Sequence, residues 1–181
     1  PKEEAAILKE VDELEQYGVI RKSTSPYNSP IVCVRKKVPP GEEPKYRICA
    51  DYRLLNATTV PQRYATPMVA EHLDLLGGKG DLPNRFYSCM DVCCAFHNIG
   101  LTARSIPKTA FTAGKHHYEF LRCPFGLIHA PLSWNRCIMA VMEGLNGTIC
   151  LVYADDIIIF APTLEEHLQR LTAVVDRLRG A

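Results

Sequence analysis

The sequence predicts an α+β fold. Three observations point to it. Apolar residues recur at helical spacing near both ends of the chain, short apolar runs of strand length lie between them, and Pro- or Gly-containing breaks separate the two kinds of element in an irregular order. The 181 residues are 47% apolar, which is enough for a packed core without staples and excludes disorder as the main state. A chain of this length forms one sizeable domain, or one domain plus a lobe.

Taken in order, residues 3–17 mix charged side chains with Ile7, Leu8, Val11 and Leu14, and Gly18 stops the helix this spacing predicts. A loop with Pro26 and Pro30 follows. Residues 31–37 and 46–50 read as strands, joined by a hairpin-like connection containing Pro39, Pro40, Gly41 and Pro44. Pro67 opens a helix carrying Met68, Val69, Leu73 and Leu76, and Gly77-Gly78 ends it. Residues 86–92 predict a strand, 109–112 and 118–121 a strand pair, and 130–145 a long helix with Pro131 tolerated in its first turn. Two very apolar strands, 148–153 and 157–160, come next, and Thr163 caps a last helix running to about Arg179. The chain has no internal repeat and no low-complexity segment.

The chemistry concentrates on carboxylates. Asp155 and Asp156 are adjacent acids between two apolar strands. Hairpin turns often contain Asp, so a plain type I or I′ turn is one explanation. Adjacent acids repel each other unless a cation neutralises them, and Asp-Asp lacks the Gly that tight hairpins prefer, so a divalent metal is the other. Asp91 ends a predicted strand, where a lone Asp is commonly a helix cap. Taken together, a strand ending in Asp beside a hairpin tipped with Asp-Asp can converge three carboxylates on one point. Hard oxygen ligands there suit magnesium, and two such ions serve in-line displacement at phosphorus.

The net charge is only +1, but residues 20–64 hold nine Lys/Arg against three acids, a local excess of +6. Such a patch fits a polyanion groove, although lysines and arginines scattered over a solvated surface give the same count. The eight cysteines show neither a C-x-x-C pair nor a zinc spacing. Most lie in apolar runs and read as small buried hydrophobes, reduced rather than disulfide-bonded. The longest apolar stretches are far shorter than a membrane span, so no membrane partner is expected.

Six blocks carry a resemblance to the reverse transcriptases of Ty3/gypsy-type LTR retrotransposons. Tyr153-Ala154-Asp155-Asp156 resembles the family's Tyr-x-Asp-Asp signature. The others are Ser29-Pro30-Ile31-Val32 followed by Arg35-Lys36-Lys37, the run from Tyr46 to Asn56, the run from Met90 to Ile99, Lys108-Thr109-Ala110-Phe111, and Pro124-Phe125-Gly126-Leu127 continuing to Ala130-Pro131. They stand in the family's order and at its spacing.

The resemblance implies the fingers and palm of a right-hand polymerase, with an antiparallel palm sheet packed on helices and no thumb. Residues 1–181 would form one incomplete reverse transcriptase domain. Residues 1–85 would be mostly fingers and 86–181 mostly palm, with finger elements returning around 105–125. It implies RNA-directed DNA polymerase activity with two magnesium ions, manganese being a substitute. Asp91 and Asp155 would hold both ions, Asp156 would be the third carboxylate, and the main-chain carbonyl of Val92 a further ligand. Lys36 and Arg47 would grip the incoming triphosphate, as a point charge and a fork suit phosphate. Phe96 would sit under the nucleotide sugar and exclude a 2′-hydroxyl, while Phe125 and Gly126 would flank the nucleotide. On the residues alone, Lys36 reads as surface charge and Phe96 as a core aromatic. Implied partners are an RNA or DNA template with its primer, deoxynucleotides, and the thumb and ribonuclease H domains of a parent polyprotein. The implied location is intracellular and cytoplasmic, with a nuclear stage admitted.

The chain departs from the family pattern at Cys93-Cys94-Ala95, which replace Lys-Ser-Gly, at Asn98 and His129, and at Leu132-Ser133-Trp134. These changes keep every carboxylate. A catalytically silent nucleic-acid-binding remnant is the alternative that the departures and the missing thumb favour. A metal-dependent nuclease of another fold would explain the carboxylates but not the other five blocks.

Overall fold

A computed structural model of the chain describes residues 2–35, 38, 39, 41, 46–62, 75–77 and 83–181. The chain divides into two units, Pro1–Pro61 with Phe96–Ala130, and Gln62–Ala95 with Pro131–Ala181.

The first unit holds helix α1 (Lys2–Gln16), strands β1 (Ile20–Lys22), β2 (Ile31–Arg35) and β3 (Tyr46–Ala50), and the short helix α2 (Arg53–Ala57). It also holds β5 (Phe111–Ala113) and β6 (His116–Phe120). β1, β6 and β5 form an antiparallel sheet in that order, and β2 and β3 form a separate hairpin with Ile31 opposite Ala50. The i, i+4, i+7 spacing of Ile7, Val11 and Leu14 sets one face of α1 on Val19, Ile20, Ile48, Phe111, Tyr118 and Phe120. Burial of each large apolar side chain in such a core stabilises by about 1.5–3 kcal/mol. Gly18 ends the helix at φ +66, its N–H donating to the Glu15 carbonyl at 3.0 Å. The sheet buries one acid, Glu119. Its register partner Arg21 and Ser23 both donate to it, at 2.8 and 2.7 Å. Burial raises the Glu119 carboxyl, but the Ser23 and Arg21 hydrogen bonds outweigh that and hold it below the usual carboxylate range.

The second unit is built on β4 (Phe86–Asp91), β8 (Asp156–Ala161) and β7 (Cys150–Tyr153), antiparallel and in that order. The unit also holds helices α3 (Ala130–Val141) and α4 (Leu164–Arg179). Thr163 caps α4, accepting from the Glu166 N–H at 3.3 Å. Glu165 and Glu166 in the first turn and Arg177 and Arg179 in the last complement the helix dipole. Arg177 also donates to the carbonyls of Val141 and Glu143, satisfying acceptors at the end of α3.

Several elements end elsewhere than the sequence predicts. The helix expected over 130–145 stops at Val141, and turns containing Gly144 (φ +81) and Gly147 (φ +80) follow, so β7 begins only at Cys150. The strand expected over 109–112 starts at Phe111, because Ile106–Thr109 forms a 3-10 turn opened by Pro107. β1 and α2 are too short for periodicity to reveal. The strand expected over 31–37 is described to Arg35, and the helix expected from Pro67 lies outside the described residues except for a helical turn at 75–77.

The cysteines are a further correction. Only Cys123 and Cys150 are buried, and Cys89, Cys93, Cys94 and Cys137 are exposed. On β4, Cys89 alternates with the half-buried Ser88 and Met90 and shares the exposed face with Tyr87 and Asp91. Among the described residues no helix is long and apolar enough to cross a membrane.

Candidate active site

The second unit gathers the carboxylates at one end of its sheet. In the β4–β8 ladder Met90 faces Ile157 and Asp91 faces Asp156, so two acids stand directly across from each other on the last rung. Side chains at facing positions lie on the same side of a sheet, with Cβ atoms about 4.5–5.5 Å apart. Like charges in that arrangement are destabilising without a counter-charge. Asp155 lies in the turn between β7 and β8, and its carbonyl accepts the Val92 N–H at 2.9 Å. The end of β4 is thereby tied to the turn itself. Asp91, Asp155 and Asp156 are all exposed.

The turn is a two-residue loop, Ala154-Asp155, between Tyr153 and Asp156, which are themselves register partners. Ala154 has φ +55 and Asp155 is not among the positive-φ residues. A positive φ at the first loop residue alone is the sign pattern of a type II′ hairpin, a position that ordinarily takes Gly. The I or I′ turn entertained from sequence is thus replaced by one that strains Ala154. Trp134, buried on α3, donates its indole N–H to the Ala154 carbonyl at 2.8 Å. That bond fixes the strained peptide just before Asp155. Asp91 is the last residue of β4 rather than a helix cap, since the next helical turn starts only at Ala95.

These donors suit a hard divalent cation in kind, being carboxylate oxygens at the open end of a sheet. Among the described residues, however, no group of three or more His, Cys, Asp or Glu side chains forms a ready-made metal cage. Magnesium typically takes one or two protein carboxylates and completes its shell with waters and substrate phosphates, so an open array of acids fits it better than a closed one would.

The other predicted site residues fall in the first unit. Phe96, half-buried, lies in the 3-10 turn Ala95–Asn98 and meets the Phe125 ring edge-on, with centroids 5.2 Å apart. His97 stacks edge-on against the same ring at 5.4 Å, and its burial lowers its pKa. Gly126 has φ +94, and a Cβ there would lie 3.4 Å from the Ala50 carbonyl oxygen and 3.6 Å from the Tyr52 ring. Those are ordinary contact distances, so glycine is favoured here by its backbone angle rather than by lack of space. Arg47 lies on β3 opposite Val34, and Lys36 lies outside the described residues. Of the other basic residues counted in the patch, Arg21 is paired with Glu119 and Arg53 with Asp51 at 2.6 Å, so both have partners within the unit.

Two residues that sequence reasoning did not single out hold the backbone around these positions. Asn56 donates to the Gly126 carbonyl at 2.8 Å and accepts the Ile128 N–H at 2.9 Å, clamping both sides of Leu127. Tyr52 is buried and donates its hydroxyl to the Thr109 carbonyl at 3.0 Å. Both lie in the run from Tyr46 to Asn56 that carried the resemblance, but nothing in an isolated sequence reveals a partner that many residues away.

Residues 34–181 match the family model described as reverse transcriptase (RNA-dependent DNA polymerase). The chain belongs to the reverse transcriptase family. It is 42% identical over 178 residues to the retrovirus-related Pol polyprotein from transposon 297 of Drosophila melanogaster, a match covering 98% of this chain and 16% of that protein. Against the corresponding polyprotein from transposon gypsy of the same organism it is 36% identical, covering 95% of this chain and 16% of that one. Among solved structures, the foamy viral protease-reverse transcriptase in complex with RNA/DNA hybrid superposes with a TM-score of 0.79 at 27% identity, covering 98% of this chain and 22% of that one. This mixed α/β reverse transcriptase domain thus spans about one-sixth of its retrotransposon relatives, whose gypsy type the sequence blocks anticipate. Reverse transcriptases generally use divalent metal ions, in keeping with the carboxylates at the end of the β4–β8 ladder.

Proposed function

We propose that this reverse transcriptase domain is the nucleotidyl-transfer core of an RNA-directed DNA polymerase, adding deoxynucleotides to a primer 3′-hydroxyl. The observation that carries the proposal is the last rung of the β4–β8 ladder, where Asp91 faces Asp156 and Val92 is bonded to Asp155. Asp91 and Asp155 would hold two magnesium ions, with Asp156 and the Val92 carbonyl as further ligands and manganese as a substitute. When bound, the ions neutralise charge on the triphosphate and favour in-line displacement of pyrophosphate.

The chain's own part is positional. The Val92–Asp155 bond and the Trp134–Ala154 bond hold the carboxylate-bearing backbone in one register, so little reorganisation is needed at the moment of reaction. Lys36 and Arg47 grip the triphosphate. Phe96 lies under the sugar and rejects a 2′-hydroxyl, with its face set by the Phe125 ring. Gly126 lets backbone approach the nucleotide where a side chain would intrude. We assign the palm to the unit carrying the β4-β8-β7 sheet and the fingers to the unit carrying the β2–β3 hairpin. The template and primer are bound through phosphates and through the A-like shape of an RNA–DNA duplex, without base readout. The setting is intracellular, cytoplasmic with a nuclear stage, and the thumb and ribonuclease H domains of a parent polyprotein are partners.

RNA-templated primer extension with magnesium and four deoxynucleotides, run beside Asp155→Ala, tests this. Extension is expected from the natural chain and not from the variant. Extension that survives Asp155→Ala would reject the assignment of the carboxylates.

A further inference from the structure

Directly after the Asp91 rung, the chain turns through Cys93 and Cys94, in the stretch where the family's pattern has Lys-Ser. Both residues are exposed, and their sulfurs lie 3.8 Å apart. Cys94 has φ +50, the left-handed conformation that non-glycine residues avoid, in the same turn that turns the two side chains toward each other. Four of the other six thiols contrast with this pair, and Cys33 and Cys49 are half-buried on β2 and β3. Burial pushes Cys123 and Cys150 up to about 11, which keeps them protonated and inert. Cys89 and Cys137 are exposed but sit on separate elements, β4 and α3.

From this arrangement we propose that Cys93 and Cys94 form a vicinal dithiol that closes reversibly to a disulfide under a small-molecule disulfide oxidant such as glutathione disulfide. One thiolate attacks a sulfur of the oxidant and releases one glutathione thiolate. The neighbouring thiol loses its proton and attacks the mixed disulfide, forming the Cys93–Cys94 bond and releasing the second glutathione. The protein pair is oxidised by two electrons, the oxidant is reduced to two thiols, and the two protein protons end on them.

Adjacency makes the second step fast and the product weak. The second sulfur is already within contact distance of the first, so ring closure outcompetes collision with another oxidant molecule. Adjacent Cα atoms are about 3.8 Å apart across a trans peptide, below the roughly 4.4 Å lower end for ordinary disulfides. A bond closed across so short a span is strained and easily reduced, which suits a reversible modification rather than a structural crosslink. Its position between Val92 and Ala95 puts the modification in the segment that leaves the Asp91 strand. The chemistry of the pair does not depend on nucleotide addition.

The test is intact-protein and peptide mass spectrometry of the 181-residue chain after exposure to glutathione disulfide, followed by dithiothreitol. The expected result is loss of two hydrogens, mapped to the peptide containing both Cys93 and Cys94, and regained on reduction. Cys93→Ser and Cys94→Ser should each abolish that loss and accumulate a stable glutathione adduct on the remaining thiol. The proposal is overturned if the natural chain carries separate glutathione adducts at Cys93 and Cys94, if neither residue is oxidised, or if the two-hydrogen loss persists in either variant. Circular dichroism of the two serine variants distinguishes lost chemistry from lost folding.

Discussion

Asn56 uses both ends of its amide on one loop, donating to the Gly126 carbonyl and accepting from the Ile128 N–H. At the scale of single residues, the loop around Leu127 therefore owes its shape to a side chain with no proposed part in the chemistry. The carboxylates proposed to carry the chemistry are legible in the sequence. Adjacent acids between two apolar strands are electrostatically awkward, and that awkwardness marks Asp155 and Asp156 in the sequence alone. Asn56 offers no such conflict, since an asparagine within a short helix looks like any other polar residue. Phe96 lies between these cases. On the residues alone it reads as a core aromatic, while the structure leaves it half-buried with its ring against Phe125. If it gates the sugar, Phe96→Ala raises the ribonucleotide-to-deoxynucleotide ratio of kcat/KM by about tenfold or more, equivalent to about 1.4 kcal/mol of discrimination. Steady-state incorporation of matched ribo- and deoxynucleotides measures it. An unchanged ratio removes Phe96 from the gate.

Among the elements, the β7–β8 hairpin is the one whose geometry depends on a neighbour. Its apolar strands were predictable, because continuous runs such as Ile157 to Phe160 suit a strand covered on both faces. Its turn was not. Ala154 at φ +55 holds a conformation that stores about 1–3 kcal/mol of strain, and the restraint comes from α3 through Trp134. The sequence shows Trp134 only as a departure from the family pattern, and its role appears once the indole N–H is seen at the Ala154 carbonyl. Trp134→Phe keeps the ring packing and removes the donor. It is expected to lower unfolding free energy by about 0.5–1.5 kcal/mol, the net worth of one hydrogen bond to a carbonyl in an exposed turn. It should also lower kcat for nucleotide addition while leaving primer-template affinity unchanged. Urea denaturation and single-turnover kinetics separate the two effects. A variant with natural stability and natural kcat would show that the bond restrains nothing. Element ends were misjudged where local turns overrode periodicity, as at Gly144 and Gly147 after α3 and at Pro107 before β5.

For the molecule as a whole, the α+β class and the order of most elements could be read from spacing and breakers, whereas a division into two parts, with finger elements returning around 105–125, comes only from the resemblance. The first unit takes its halves from both sides of β4, joining Pro1–Pro61 to Phe96–Ala130. Pairings such as Arg21 with Glu119, 98 residues apart, make that union, and no local pattern announces them. The predicted carboxylates lie in one unit and the predicted nucleotide contacts in the other. Each set is internally organised, the acids by the β4–β8 ladder and the Gly126 loop by Asn56. The central claim is that the facing pair Asp91 and Asp156, with Asp155 beside them, forms a divalent-ion centre for nucleotidyl transfer. The most direct measurement is the magnesium dependence of single-deoxynucleotide addition by the 181-residue chain and by Asp91→Asn, with duplex binding recorded for both. The account predicts no addition without magnesium, and a loss of about 100-fold or more in Asp91→Asn while duplex binding is retained. Addition at the natural rate by Asp91→Asn, or by the natural chain with all divalent ions chelated, would contradict it.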